Sequence, residues 1–364
     1  MNKGVKWVSF SLLRPFVYDV FKGMGVPDED ADICTDVLLE ADLKGLDTHG
    51  VNRLKPVYYD RVKAGLQSPV TRLDVVREGP TTAVVDGNNG MGMVIAKRSM
   101  DLCIEKAREL GMGMVAVRNS THFGIAGYYA EMAAKRGLIG ITGTNARPSM
   151  APTFSVEPIL GTNPLTFAFP SDEEFPFSLD CATSIIQRGK VELFARKGEE
   201  LPPGLVIRSD GSTGTNPDEV LRDLLSGEAA LLPLGGMGEE TAGYKGYGYA
   251  TVVEILSASL QSGYFLKAIN GVNMGHFFIA IDVSAFTELD DFKHRTGDIL
   301  RSLRAAKKAP GANRVYTAGE KEYLTSLERK VKGVPVNTSV QMELIQMRDE
   351  LGLHQHRLPF EQTP

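Results

Sequence analysis

The chain has 364 residues, 43% hydrophobic and 23% charged, with 40 lysines and arginines against 45 aspartates and glutamates for a net charge of −5. That length exceeds one ordinary core and predicts two domains, while the charge balance, with no basic block, argues against nucleic acid or an anionic membrane as the main partner. Three cysteines, Cys34, Cys103 and Cys181, form no C-x-x-C pair and no regular framework, which fits a reduced, cytoplasmic chain without disulfide or metal staples.

The opening MNKGVKWVSFSLLRPF reads as a first helix or its lead-in rather than a secretory signal: its apolar run is short, Arg14 and Pro15 interrupt it, and no small-residue cleavage site follows. No apolar run approaches the ~20 residues that a bilayer span needs. FSLLRPFVYDVF has helical spacing, and VPDEDADICTDVLLEAD starts with Pro27 and a cluster of acids suited to a helix N-terminus. THGVNRLKPVYYDRVKAG reads as a third helix with a break at Pro56, ended by Gly65. LDVVREGPTTAVVDG is two β-rich runs around Gly79-Pro80, a hairpin signal.

Strand and helix then alternate. MVIAKRSMDLCIEKAREL is helical, MGMVAVRNS a strand, IAGYYAEMAAKRG a helix, and LIGITGTNA, LTFAFP and FPFSLD are strands. GEELPPGLVIRSDGSTGTNPDEV reads as surface loop. KGYGYATVVEILSASLQSG is an apolar, buried helix and GHFFIAIDV a strand. Three helices follow from Glu288, the last capped by Asn337, and HQHRLPFEQTP is tail. The expectation is a mixed α/β (α+β) chain: a helical domain from residues 1–70 and 305–364, enclosing an α/β domain at 71–304.

The glycines give no Rossmann fingerprint. G-x-G in ELGMGMVAV has a helix before it and a strand after it, the wrong order; Gly243, Gly246 and Gly248 follow a loop and lack the later acidic residue. No glycine run ends in Gly-Lys-Ser/Thr. The six histidines form no H-x-x-x-H or H-E-x-x-H pair, so no metal is expected. Four polar clusters stand at the ends of apolar elements: THGVNR (Thr48 to Arg53), NSTHFG (Asn119 to Gly124), GTNP (Gly161 to Pro164) and DCATS (Asp180 to Ser184). Each alone reads as a turn; together they suggest one pocket. His49 and Arg53, four apart on a helix, would share a face, a cation fork for a carboxylate beside a proton carrier; a solvated surface pair fits equally well. Lys245 between glycines suits a phosphate or is simply exposed. His122 reads on chemistry alone as nearer a core histidine than a ligand. Composition and spacing do not name the reaction.

In order, T-H-G-V-N-R, N-S-T-H-F-G-I-A-G-Y-Y-A, L-G-T-N-P-L-T-F-A-F-P, D-C-A-T-S and Y-K-G-Y-G resemble the malate/L-lactate dehydrogenase family unrelated to the Rossmann-type enzymes, over roughly residues 10 to 350. V-N-R-L-K-P-V-Y-Y-D-R looks most like its malate dehydrogenase branch. The resemblance implies hydride transfer between a 2-hydroxy acid and a 2-oxo acid with NAD or NADP, on a non-Rossmann cofactor domain. It also implies a homodimer with the site near the interface. Malate/oxaloacetate is the expected pair; lactate, sulfolactate, ureidoglycolate or a cyclic imine are the alternatives, and a non-catalytic dinucleotide-binding protein is a further one.

Carried over by position, the resemblance implies catalytic roles for His49, His122 and Asp180, and substrate contacts for Thr48, Arg53 and Asn145. It implies cofactor contacts at Asn163, Asp180, Ala182, Thr183, Ser184, Tyr244, Lys245, Gly319 and Glu320. Thr48, Cys181 and Ala318 replace the family's usual serine, methionine and proline. The spacing from Arg53 to Tyr58 and Tyr59 is one residue longer than the commonest one, which leaves two candidates for the family's tyrosine.

Overall fold

The two ends of the chain form helices where their apolar spacing predicts them. In this computed structural model, which describes residues 4–360, these are α1 (Phe10–Gly23), α2 (Asp28–Leu43), and later α9 (Leu289–Arg304), α10 (Glu320–Lys332) and α11 (Thr338–Glu350). Asp28, Glu29 and Asp30 occupy the first turn of α2, and Asn337 accepts the Val340 N–H to cap α11. The short strands β1 (Lys6–Val8) and β11 (Val334–Val336) pair antiparallel and tie the ends together.

Between them lies a seven-stranded mixed sheet. Its strands are β2 (Asp74–Glu78), β3 (Thr82–Asp86), β4 (Met112–Ser120), β5 (Leu138–Thr144), β6 (Leu165–Phe169), β7 (Phe177–Cys181) and β10 (Met274–Asp282), in the order β2-β3-β4-β10-β5-β6-β7. Only β3 and β4 run parallel, joined through α4 (Gly92–Leu110). α5 (Ala126–Ala134) packs on β5 and β6. Strand β10 enters between β4 and β5, so His276 faces Val117 on one side and Thr144 on the other.

Three regions depart from the sequence expectation. The third helix divides into a 3-10 turn (Val51–Arg53), a π-helix (Leu54–Tyr59) and the four-residue α3 (Asp60–Lys63). The Gly- and Pro-rich segment expected to be loop contains β8 (Val206–Arg208), which pairs with β9 (Ala229–Leu231), and α7 (Pro217–Ser226); α6 (Arg188–Lys197) precedes them. Pro217 and the Asn216 cap make α7 possible within that composition. The apolar helix α8 (Gly243–Ala258) is half outside: Tyr249, Val252 and Ile255 are 55%, 48% and 53% exposed.

The cores also cross the expected division by secondary structure. One cluster joins Val20, Phe21 and Leu38 of the helical ends to Val115, Tyr129 and Phe278 of the sheet. A second, smaller one, with Met150, Ile186, Val206 and Leu231, lies under the 150–250 segment. The C-terminal stretch is docked up to residue 360: His356 bonds Asp19 at 2.6 Å and packs edge-on to Phe16. Residues 361–364 of the expected tail lie outside the described residues. Among the described residues no helix is long and apolar enough to cross a membrane.

Candidate active site

The NSTHFG cluster leaves the end of β4 and reaches α5 through an extended bend, so His122 stands at a strand-to-helix junction, as the sequence suggests. The THGVNR cluster meets it from the helical end of the chain. The His49 and His122 rings face each other at 5.8 Å between centroids. His49 does not lie on a helix with Arg53. It sits in the turn before the 3-10 segment, and Arg53 Nε donates to the Thr48 carbonyl at 2.6 Å. The fork and the proton carrier are therefore neighbours through a turn rather than through a helix face. Thr48 Oγ1 lies 2.8 Å from His49 Nδ1.

The π-helix decides between the two tyrosines. Its wider turn bonds the Asp60 N–H to the Lys55 carbonyl, five residues back, and absorbs one extra residue. Tyr58 Oη then reaches His122 Nδ1 at 2.7 Å, while Tyr59 turns away to Glu350.

Burial, with the Arg53 charge adding, pushes the His49 imidazole down to about 4. Burial, then His49 and the guanidinium groups of Arg53 and Arg61, holds His122 well below the usual histidine range. Arg61 donates to the Gly271 carbonyl at 2.6 Å. Arg61 Nη2 and Arg147 Nε lie 3.3 and 3.5 Å from the point where a Gly271 side chain would begin. Burial and the neighbouring Arg147 lower the Arg61 pKa. Among the described residues, no ion pair engages Arg53, Arg61 or Arg147. Arg53 and Arg61 act on the histidines and Arg147 stands beside Arg61, an arrangement chemically suited to an anion with more than one acidic group.

Asp180 joins this region to β7. Its Oδ2 accepts the Gly127 N–H at 2.7 Å, capping α5, and its Oδ1 accepts from Thr166 at 2.9 Å. The carboxylate is held against protein on one side and open to a cleft on the other. Burial raises its pKa, opposed by those two donors. The cleft, about 290 Å³, is lined by Gly127, Glu131, Asp180, Thr317, Gly319 and Lys321, among others. Gly319 is required where that loop crosses β7: its φ is +89° and a Cβ would stand 3.0 Å from the Pro176 carbonyl.

The other cofactor-contact candidates gather around the same strand end. The Leu234 N–H bonds the Thr183 carbonyl, and the Gly246 N–H bonds the Leu234 carbonyl, so Tyr244 and Lys245 at the start of α8 neighbour Ala182, Thr183 and Ser184. Gly246 admits no side chain, because a Cβ would stand 2.3 Å from the Leu234 carbonyl. Tyr244 and Lys245 are exposed. Among the described residues, Ser184 Oγ and Asn52 Oδ1 are buried without a hydrogen-bond partner. A dinucleotide laid along this strand end would meet an orphan hydroxyl, an open carboxylate and a lysine, so the residues present fit such a group.

Three of the residues assigned by resemblance are committed elsewhere. Asn145 is fully buried, donating to Glu254 and the Tyr264 carbonyl and accepting from Gly275 N–H. Asn163, also fully buried, donates to Glu254 and the Ala250 carbonyl and accepts from Ala146 N–H. The two asparagines clamp loops onto α8 and have no donor left for a ligand. Glu320 bonds Arg314 and accepts the Thr317 N–H, shaping the loop rather than facing the cleft. Arg61, Arg147 and His276 carried no signal in the sequence, because their partners come from segments remote in the chain.

The sequence profile of the malate/L-lactate dehydrogenase family matches residues 8–345. The chain is 44% identical to malate dehydrogenase of Pyrococcus abyssi over 94% of both chains. It is 39% identical to L-sulfolactate dehydrogenase of Methanocaldococcus jannaschii, over 94% of this chain and 96% of that one. Among solved structures, malate dehydrogenase from Entamoeba histolytica superposes with a TM-score of 0.94 at 45% identity, covering 98% of this chain and all of the other. Malate dehydrogenase from Pyrococcus horikoshii superposes at 0.88 with 39% identity, covering 96% and 97%.

Proposed function

The chain belongs to the malate/L-lactate dehydrogenase family, and on that premise we propose that it interconverts malate and oxaloacetate with NAD or NADP. It is an oxidoreductase of small 2-hydroxy acids. The choice of malate is supported most by the arginines. Arg53 beside the histidines suits the carboxylate next to the reacting carbon, and the unpaired Arg61 and Arg147 suit a second acidic group. A substrate with one carboxylate, such as lactate, would leave that second pair of cations unanswered.

When bound, the nicotinamide ring supplies or accepts the hydride. The chain does the rest. Arg53 fixes the substrate's orientation, the histidines handle the oxygen and its proton, and Asp180 with Ala182, Thr183, Ser184, Tyr244 and Lys245 holds the dinucleotide along β7. Thr48 supports His49. The exposed apolar face of α8 supports a homodimer, and three free cysteines support a cytoplasmic protein.

The test is oxidation of NADH and of NADPH with oxaloacetate, pyruvate and a sulfonated 2-oxo acid. Oxaloacetate should be the preferred substrate. Arg147→Ala should lower kcat/KM for oxaloacetate by about 10- to 100-fold while changing pyruvate little. Equal losses on both would remove the assignment of the second acid site. Light scattering of Ile255→Asp, expected as monomer, checks the dimer face.

A further inference from the structure

Residues 44–50 carry His49 from α2 to the 3-10 turn with no helix or strand of their own. Irregular backbone holds a side chain only as precisely as its anchors allow. Asp42, in the last turn of α2, supplies one anchor. Its buried carboxylate reaches nine residues ahead, where Oδ2 accepts the Val51 N–H at 2.9 Å. Gly50 lets the chain pass over that carboxylate, because a Cβ would stand 1.9 Å from Asp42 Oδ1.

The second anchor comes from the other end of the sequence. Arg329, near the end of α10, is 8% exposed. Its Nη1 donates to the Asp42 carbonyl and to Asp47 Oδ1, and its Nη2 donates to Asp47 Oδ2 at 3.1 Å. One planar fork thus ties the last turn of α2 to Asp47, two residues before His49. Thr325, four residues earlier on the same face of α10, stands against Gly45. The Gly45 φ is +81°, and a Cβ there would lie 2.8 Å from Thr325 Cγ2. Inside the segment held this way, the His49 N–H bonds the Leu46 carbonyl at 2.8 Å, and the Thr48 carbonyl takes Arg53 Nε at 2.6 Å.

A buried ion pair of this kind is a weak source of stability, since an apolar side chain of similar volume often replaces it without loss. What the apolar replacement lacks is the fixed geometry of the fork. Asp47 is half exposed, so water can take over its carboxylate, and the Asp42 carbonyl still accepts the Gly45 N–H at 3.1 Å. The other end of α10 is anchored separately: the Ser178 N–H bonds the Ala318 carbonyl, and Glu320 bonds Arg314 and the Thr317 N–H.

We propose that Arg329 is a positioning residue for the reaction: through Asp42 and Asp47 it sets the turn that presents His49 and Arg53 to the substrate. The proposal rests on the 2-oxo acid reading above. Arg329 acts only through that turn, so its loss should be felt by the substrate and hardly by the dinucleotide.

Arg329→Met keeps the stem and removes the fork. It should lower kcat/KM for oxaloacetate by roughly 30- to 100-fold, with KM for the dinucleotide within about twofold of wild type. The melting temperature should move by only a few degrees. Arg329→Lys, a point charge without the fork, should recover part of the loss. An unchanged kcat/KM in Arg329→Met overturns the proposal. So does a loss matched by dinucleotide binding or by stability, which would make Arg329 part of the general fold. Proton–nitrogen spectra of histidine-labelled enzyme read the placement without turnover. The His49 signals, identified by their absence in His49→Gln, should shift or broaden in Arg329→Met, while those of His276, identified with His276→Gln, should stay. Unmoved His49 signals overturn the proposal. A wild-type enzyme inert on every 2-oxo acid would sink the functional reading, while these spectra would still decide whether Arg329 places His49.

Discussion

Behind the cleft, in the middle of the sheet, His276 has both nitrogens engaged: Nδ1 with Thr144 Oγ1 at 2.7 Å and Nε2 with Ser120 Oγ at 2.8 Å, while Phe123 stacks on its ring at 4.4 Å. At the candidate site, His49 and His122 each have Nδ1 engaged and, among the described residues, no partner for Nε2. Burial depresses all three, His276 down to about 3. Burial and weakened basicity thus fail to separate a histidine whose ring is fully engaged by the protein from the two proposed to work on substrate. The number of ring atoms left unspoken for does separate them, and Arg53 and Arg61, which no ion pair engages among the described residues, act on His122.

That contrast implies that damage in the cleft costs rate and damage in the sheet costs stability. The largest effect should come from Arg53→Ala. Loss of a two-pronged carboxylate contact should reduce kcat/KM for oxaloacetate by about 10³-fold, with a melting temperature within a few degrees of wild type. A matching fall in melting temperature would erase the distinction. His276→Ala should do the opposite: about 3 kcal/mol of stability is lost as two buried hydroxyls lose their partner and Phe123 its neighbour, while kcat changes only a few-fold. Urea titration beside steady-state kinetics reads both.

The pH dependence sharpens it further. The folded pKa values of His49 and His276 lie below the unfolded value of ~6.5, so between there and about 4 the unfolded chain binds more protons. Their contribution to stability is complete above ~6.5 and falls as pH drops through that window. Melting curves should show this, and His276→Gln should have a shallower slope than wild type. The smallest effect belongs to Ser184→Ala. Its hydroxyl has no partner among the described residues, so stability should stay level or rise by about 1 kcal/mol, while KM for the dinucleotide rises a few-fold. Unchanged KM would remove Ser184 from the cofactor contacts.

Much of this was legible from local pattern. Runs of β-type residues located the seven sheet strands, and four polar clusters at the ends of apolar elements suggested one pocket, while the resemblance to the family assigned roles to His49, Arg53, His122 and Asp180 within them. What escaped depended on contacts remote in sequence. Arg61 and Arg147 meet only at Gly271, and nothing near either marks it as unpaired. Asn145 and Asn163 look like ligand residues in their motifs, yet Glu254, on a distant helix, takes up their donors. The α8 helix was expected to be buried because its apolar residues lie all around it; one chain alone covers only part of them.

The π-helix at Leu54–Tyr59 bears on how such a chain changes over evolutionary time. A wide turn is a reservoir of one residue: adding or deleting a residue there converts one kind of turn into the other while Arg53 before it and Tyr58 within it keep their stations. With Pro56 on its exposed outer side, the segment offers lineages a place to vary in length between two fixed functional points. Strict counting from Arg53 at the shorter family spacing stops at Val57 and misses Tyr58, the tyrosine that faces His122.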